Sequence, residues 1–489
     1  MPGKLTRRMT ATDAAFLYFE RPHAPLHIGS LGIYQGQIPF DRFVAHIDSR
    51  MPLIPRYRQR AVFVPFSLAH PTWEDDPGFG IRNHIFEVKL PAPGNEEQLK
   101  EATTKLFAGQ LDRSKPLWEM YVIHGIEGDK SAILSRVHHC MVDGVSGIEL
   151  LLAVVDISPE PAPPPEPTPW NPPPLPNPLA RVNDALWDNF EQQANLWREI
   201  VETAADPARS WRQAQQTVRA FRTAYPWLMR PPPATPFSIQ LCDERRVAMT
   251  EVSFPEIREI RTALGGTVND VVLAVLAGAL RRYIISRGQN VDGVELRVGV
   301  PVNVRLEDEK GALGNRISTM VPLLPLGEPD AATRLRLIRD QVNYLKTENQ
   351  ASAFEQLLRL ASYVPVPIQA LGNATNLMVN LICTNVPGPM IPLYSVGHLL
   401  LEHSPMVPLS MNMGLGVGVT SYNQKLFFGL MADPHGVPDI ETLREYVDAS
   451  FLELRSAAGV RPSDLPSISG NGLKLPEKAQ PPAPAETPR

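Results

Sequence analysis

The stretch His138–Gly144, HHCMVDG, decides how this chain is read. Just upstream, SAILSRVHHC (131–140) carries the apolar pattern of a β-strand, in which successive side chains point to opposite faces. Ile133, Ser135, Val137 and His139 would share one face, and Leu134, Arg136 and His138 the other. Two histidines placed this way do not converge on one small ligand, and no other His, Cys or carboxylate cluster at ligand spacing completes a metal site. One of the pair can face a reaction centre while its neighbour serves structure, and alternation does not say which. Gly144 permits a sharp turn as the strand ends. Asp143 lies in that turn, where its carboxylate can brace local geometry. A histidine held this way stays neutral near pH 7 and can take a proton from a hydroxyl.

Working outward, LWEMYVIHGI (117–126) reads as a neighbouring strand and VSGIELLLAVV (145–155) as a buried helix. Further on, TVNDVVLAVLAGALRRYI (267–284) reads as a helix with Val268, Val272, Val275, Ala279 and Tyr283 along one face. VELRVGVPVNVR (294–305) reads as a strand, and MGLGVGVTSYNQKLFFGLM (413–431) as a hairpin turning at Asn423-Gln424. The expected class is α/β in two halves, 1–157 and 239–461, joined by a proline-rich and helical linker (158–238) and followed by a disordered tail (462–489). Within the linker, SPEPAPPPEPTPWNPPPLPNP (158–178) excludes helix and central strand. After it, Leu179, Val182, Leu186, Phe190, Trp197 and Val201 recur at near-helical spacing. The simpler reading is a connector packing on both halves; the sharper one is an interfacial segment lying on lipid, which its mixed polar face supports only weakly.

Composition narrows the classes. The chain has 489 residues, a net charge of −5 and 43% hydrophobic residues, enough for two or three units with large cores and no general attraction to nucleic acid. Its three cysteines, Cys140, Cys242 and Cys383, form no pair at metal or disulfide spacing, which fits a reducing cytoplasm. No signal peptide is evident, and the longest apolar run, VVLAVLAGAL (271–280), is too short to span a bilayer and reads as a buried helix. The expected location is cytoplasmic, with peripheral association to the inner face of the membrane or to lipid inclusions.

Several stretches together resemble the bacterial wax ester synthase/diacylglycerol acyltransferase family, within the wider group of HHxxxDG acyl-CoA-dependent acyltransferases. They are the opening TATDAAFLYFERPHAPLHIGSL (10–31), the Pro116-Leu117-Trp118 element, Asn269-Asp270, CTNVPGP (383–389) and the glycine-alternating MGLGVGV (413–419). HHxxxDG alone also occurs in nonribosomal condensation domains and polyketide-associated acyltransferases; the other elements tip the choice. The family often has Ala where this chain has Cys140.

The resemblance implies two chloramphenicol-acetyltransferase-like halves with the active site in a tunnel between them, and His139 rather than His138 as the base. It implies an acyl-CoA co-substrate, diacylglycerol or a fatty alcohol as acceptor, and no metal or other cofactor. His139 would deprotonate the acceptor hydroxyl and return the proton to the leaving CoA thiolate. No GxSxG nucleophile motif appears, so direct attack fits. Asn269, near a helix start, is a candidate oxyanion donor or a helix cap. Arg305 is a candidate partner for Asp143, with His138 and Gly144 as structural support. Pro116, Leu117 and Trp118 would start a core strand or shape the acyl channel. Gly414, Gly416 and Gly418 would leave one strand face bare for a lipid chain or another element. Two other readings remain: a condensation-type enzyme using a carrier-bound donor, and a non-catalytic lipid-binding protein of the same fold.

Overall fold

The computed structural model describes residues 7–141, 155–160, 170–172, 174–205, 211, 215, 231–303, 317–347 and 379–463. The described elements of the first half are α1 (Ala11–Phe19), β1 (His27–Gln35), α2 (Phe40–Arg50), β2 (Gln59–Val62), β3 (Thr72–Asp75), β4 (Ile85–Lys89), α3 (Glu96–Ala108), β5 (Trp118–Ile126) and β6 (Lys130–His138). A long helix, α4 (Pro178–Ala205), follows the proline tract. Then come β7 (Arg246–Ser253), α5 (Phe254–Leu264), α6 (Val268–Ser286), β8 (Glu295–Asn303), β9 (Ile317–Met320), β10 (Leu323–Pro325), α7 (Ala331–Thr347), β11 (Leu381–Val386), β12 (Tyr394–Ser395), β13 (His398–Met406), β14 (Leu415–Tyr422), β15 (Lys425–Ala432) and α8 (Ile440–Ala457).

Local signals place these elements. Thr10 caps α1, its Oγ1 accepting the Asp13 N–H at 3.1 Å. Thr267 and Asp270 form a reciprocal capping box at the start of α6. Asn423 and Gln424 adopt φ of 42° and 67°, the left-handed pair that closes a two-residue hairpin between β14 and β15. Strand alternation in β6 is visible in the packing: Ile133 and Val137 enter one core cluster, Ala132 and Leu134 another. Residues Val271–Leu280 of α6 are buried at the centre of the second half's core. Among the described residues no single helix is long and apolar enough to cross a membrane, and the apolar pair α5–α6 is bent by 97°.

Two sheets result. One runs β12–β13–β1–β6–β5–β4, the other β10–β8–β11–β14–β15–β7 with β9 on β8. The first contains a crossover that the sequence boundaries miss. β12 and β13 lie within 239–461, yet β13 pairs antiparallel with β1 of the first half, Gly29 opposite Met406. The chain then returns through residues 405–409 across β14 and β15, where glycines make room for it. A Cβ on Gly416 or Gly418 would meet Val407 at 2.9 or 3.1 Å, and one on Gly429 would meet the Pro405 carbonyl oxygen at 1.8 Å. A Cβ on Gly414 would lie 2.9 Å from the Phe237 carbonyl oxygen. The strand face bared by Gly414, Gly416 and Gly418 is therefore filled by the chain itself, the second of the two alternatives, and not by a lipid chain.

Among the described residues, helix α4 makes its hydrogen bonds and ion pairs with the first half. Its polar side meets the first half, through Asp188 against Arg8, Asp184 against Arg7 and Asn189 Nδ2 donating to Leu68 O at 2.8 Å. Buried Ala185 permits the close approach. Leu179, Leu186, Phe190, Trp197 and Val201 face outward and are exposed.

Candidate active site

β6 ends one residue earlier than the sequence pattern implies. His138 is the last strand residue, opposite His27 on β1, and His139–Met141 turn into a short 3-10 helix. The ladder stops because β1 begins at His27 and offers no further partner. The chain is instead picked up by two main-chain bonds, His138 N–H to Leu117 O and His139 N–H to Leu26 O, both 2.9 Å.

His138 holds this turn together. Its Nδ1 accepts the Cys140 N–H at 3.2 Å, which leaves Nε2 as the protonated nitrogen, 3.4 Å from the Glu20 carboxylate. Glu20, at the end of α1, also accepts from Leu26 N–H (3.1 Å) and Arg113 Nη2 (2.7 Å). Burial would raise the Glu20 carboxyl, but His138, Arg113 and the Leu26 N–H outweigh it and hold the group at about 2. One carboxylate thus fixes the loop entering β1, the His138 tautomer and the turn that carries His139. Cys140 packs back onto His138, its Sγ 2.9 Å from Nδ1, and burial pushes its thiol well up. It stays a thiol, unsuited to nucleophilic attack.

Because the folded Glu20 value lies below its usual 4.5, the stability it contributes is complete above that pH and is lost as pH falls towards about 2. Glu20→Gln keeps the shape but removes the charge. It is expected to lower stability by roughly 3 kcal/mol, the low end of the range for a broken buried ion pair. Urea unfolding at pH 7 and at pH 3 reads this, with the difference from wild type shrinking at pH 3.

His139 is only half-buried. Its ring lies flat on Phe16 of α1, centroids 4.0 Å apart and planes 11° from parallel. Its Nδ1 is enclosed and makes no hydrogen bond among the described residues, so Nε2 is the nitrogen left to meet a substrate. Burial, opposed by the residue's own main chain and aided by the neighbouring His138, pushes its pKa down to about 4. The imidazole is neutral at physiological pH and free to accept a proton. His27 beside it is fully buried, its ring Nε2–H donating to Phe107 O at 2.5 Å, and burial followed by the Arg136 charge pushes it to about 3.

Asn269, in the first turn of α6, is not the cap; Thr267 is. Its Oδ1 accepts from Asn385 Nδ2 on β11 at 3.4 Å, which turns its own NH₂ away from that contact. Asp270 is spent on the capping box, accepting from Thr267 N–H (2.8 Å) and Oγ1 (2.9 Å). Pro116, Leu117 and Trp118 are buried: Leu117 and Trp118 belong to the first half's core, Trp118 stacking on His84 and donating to Tyr57 O at 2.8 Å. That assigns the element to the core strand start. Asp143, Gly144 and Arg305 lie outside the described residues, as does the helix expected over 145–155 apart from Val155.

Sequence reasoning missed Glu20, Phe16 as the shelf under His139, and Asn385 as the partner of Asn269. The one available signal was that all three lie within the family-like stretches, Phe16 and Glu20 in 10–31 and Asn385 in 383–389. Sequence reasoning also missed a group: Cys242, Asp433 and His435 offer ligand atoms within 4.8 Å of one another. There Asp433 accepts the main-chain N–H groups of Cys242 (2.7 Å) and His435 (2.9 Å) and faces Arg245, which makes it a loop brace.

Comparison with known proteins gives a consistent picture. A family profile for the wax ester synthase/diacylglycerol acyltransferase catalytic domain matches residues 9–272, and one for the WS/DGAT C-terminal domain matches 313–455. A Mycobacterium tuberculosis protein named "Probable diacyglycerol O-acyltransferase tgs1" is 30% identical over 465 residues, 91% of this chain and 95% of the relative. Another from that organism, named "Probable diacyglycerol O-acyltransferase tgs2", is 28% identical over 466 residues, 92% of this chain and 99% of the relative. Among solved structures, the wax ester synthase/diacylglycerol acyltransferase from Marinobacter aquaeolei VT8 superposes with a TM-score of 0.64 at 23% identity, covering 93% of this chain and all of that one. The first condensation domain of the calcium-dependent antibiotic synthetase superposes at 0.58 and 15% identity, covering 92% and 97%. Both share the mixed α/β two-half fold.

Proposed function

Since the chain belongs to the wax ester synthase/diacylglycerol acyltransferase family and is an O-acyltransferase of that class, we propose that it moves a long-chain acyl group from acyl-CoA to the hydroxyl of diacylglycerol, with fatty alcohols as a second acceptor, and that His139 is the general base. The observation that carries this reading is the His139 ring, stacked on Phe16 and mounted on a turn braced by His138 and Glu20; burial, which lowers its pKa, favours the neutral form that can accept a proton.

His139 Nε2 takes the proton as the hydroxyl oxygen attacks the thioester carbonyl. The tetrahedral intermediate places a negative charge on the former carbonyl oxygen, and the Asn269 NH₂ donates to it. Collapse breaks the C–S bond, and His139 returns the proton to the CoA thiolate. A thioester lies above an ester in energy, so the transfer runs downhill with no metal or redox group. Asp143 and Arg305 are proposed to brace the loop beyond the turn.

Purified protein given palmitoyl-CoA with diacylglycerol, a fatty alcohol or no acceptor tests this. The expected result is stoichiometric release of CoA thiol with triacylglycerol or wax ester, resolved by thin-layer chromatography. Thiol release without ester, or ester formation only from a carrier-bound acyl group, would overturn it.

A further inference from the structure

One face of the first sheet is not filled. β1 and β6 are interior strands, flanked by β13 and β5, and the centre of such a sheet is ordinarily covered by its core. Register sets Ser30 of β1 between Ser135 of β6 and Pro405 of β13, and Gly32 between Ile133 and His403. Directly opposed residues share a face, so Ser30, Ser135, Pro405 and His403 point the same way. All four are only half-buried. Past Gly32 the space closes. A Cβ on Gly32 would meet Leu400 Cδ1 and Tyr34 Cε2, each at 3.0 Å, and the Tyr422 ring centroid lies 6.4 Å from that of His403. His139 stands at the other end, flat on Phe16, with Val137, Cys140 and Met141 in the core cluster of this same face. The hollow therefore runs along the sheet from the reaction centre to a blind end. His139 N–H is bonded to Leu26 O, and at the rise of a strand the path from Leu26 to Gly32 is roughly 20 Å.

His403 is the unexplained group at that blind end. Among the described residues it has no hydrogen-bond or ion-pair partner, and its ring meets Tyr422 edge-on, planes 74° apart. Burial pushes its pKa down to about 4, as expected of a ring facing an enclosed space rather than bulk water. The imidazole is then neutral, with one N–H to donate and one bare nitrogen to accept. A hydrocarbon chain laid against it would leave both unpaired, at a cost in binding. The serines part way along behave differently. Ser30 and Ser135 already satisfy each other, Oγ to Oγ at 3.1 Å, so an apolar chain can pass them without such a cost.

We propose that His403 makes this pocket selective for a fatty chain that carries an oxygen, as hydroxyl or carbonyl, far from its reacting end. The chain lies along β1 with its reacting end at His139 and its distal oxygen at His403, which donates to it or accepts from it. His403 is a specificity-determining residue some 20 Å from the chemistry and takes no part in proton transfer. The inference rests on the acyltransferase reading and deepens it by naming a substrate class. The oxygenated chain belongs either to the acyl donor or to the acceptor alcohol, since both converge on His139.

Competition between matched chains tests this in two arms. In one, 16-hydroxypalmitoyl-CoA competes with palmitoyl-CoA for hexadecanol; in the other, 1,16-hexadecanediol competes with hexadecanol for palmitoyl-CoA. Wild type is expected to favour the oxygenated chain by roughly tenfold in kcat/KM in one arm, and that arm identifies the substrate that fills the hollow. His403→Leu keeps an apolar bulk and loses both polar atoms; it should bring the ratio to about one by improving use of the plain chain. His403→Gln keeps a donor and an acceptor and should retain most of the preference, which a purely steric role would not give. A wild-type ratio near one in both arms would overturn the proposal without any variant, and so would a ratio unchanged in His403→Leu. Inactivity of wild type on every pair would refute the functional reading instead. Calorimetric titration with 16-hydroxypalmitate and palmitate then reads the pocket alone: tighter wild-type binding of the hydroxy acid, lost in His403→Leu, supports the proposal, and equal affinities overturn it.

Discussion

Replacing His139 with alanine is expected to lower kcat for acyl transfer by roughly a hundred- to ten-thousandfold, the range for loss of a general base, while the protein stays folded. The two halves of that expectation come from different observations. The ring is half-buried and contributes little to the core beyond its face-to-face contact with Phe16, so the unfolding midpoint should stay near wild type. The base itself has no understudy among the described groups on this turn: Cys140 is buried as a thiol and His138 has its Nδ1 engaged with Cys140 and its Nε2 turned to Glu20. His138→Ala therefore gives the contrasting result, a less stable protein whose activity falls because the turn is lost. Wild-type kcat/KM adds a pH signature. Burial holds His139 at about 4, so its neutral fraction is nearly constant from pH 7 to 5.5. A base at the ordinary 6.5 would be mostly protonated at 5.5. The same shift carries a stability cost with a definite sign: the unfolded chain binds this proton first, so stability falls as pH drops below about 6.5. Stopped assays at short times separate the two effects. A titration midpoint near 6.5 in the activity profile of folded enzyme would contradict the assignment.

The second large effect is expected at Asn269. Asn269→Ala should reduce kcat by roughly a hundred- to a thousandfold with KM nearly unchanged, because an oxyanion donor acts on charge that exists only in the transition state. Helix stability gives an independent control. Thr267 and Asp270 form the cap, so removing the Asn269 amide should leave the unfolding midpoint close to wild type. Asn385 supplies a graded test. Its Nδ2 fixes which way the Asn269 carboxamide points, and Asn385→Ala should cost kcat by a smaller factor. Equal kcat in Asn269→Ala and wild type would remove it from the reaction and leave it a helix-start residue.

Much of this was legible in the sequence. Period-two alternation in 131–138 sorted Ile133 and Val137 from Ala132 and Leu134 onto different core clusters, while the two histidines are set apart by the turn that begins at His139; Asn423-Gln424 announced the hairpin. The apolar run 271–280 announced the central helix. What could not be read has a common physical cause. Glu20 and Phe16 act on a turn more than a hundred residues downstream, and no local pattern encodes such a contact. The β1–β13 pairing is likewise non-local; the sequence of 398–406 says strand but not whose neighbour. The bared glycine face could be recognised, while its occupant, the returning chain at 405–409, could not. For α4 the periodicity located the apolar stripe, and only the structure showed that the ion pairs of Asp184 and Asp188 turn it outward.

The strand exchange at β13 has one more consequence. β1 is bonded on one side to β6 and on the other to β13, so the first half borrows its outer strand from the second. Expressed without residues 394–406, it would present a bare row of main-chain donors and acceptors along β1, the kind of open border that recruits other chains into aggregates. The halves are therefore one cooperative object in assembly even though they look like two in outline. Relative movement between them is confined to sliding that preserves the shared ladder, since a wide hinge opening would have to tear a strand out of its sheet.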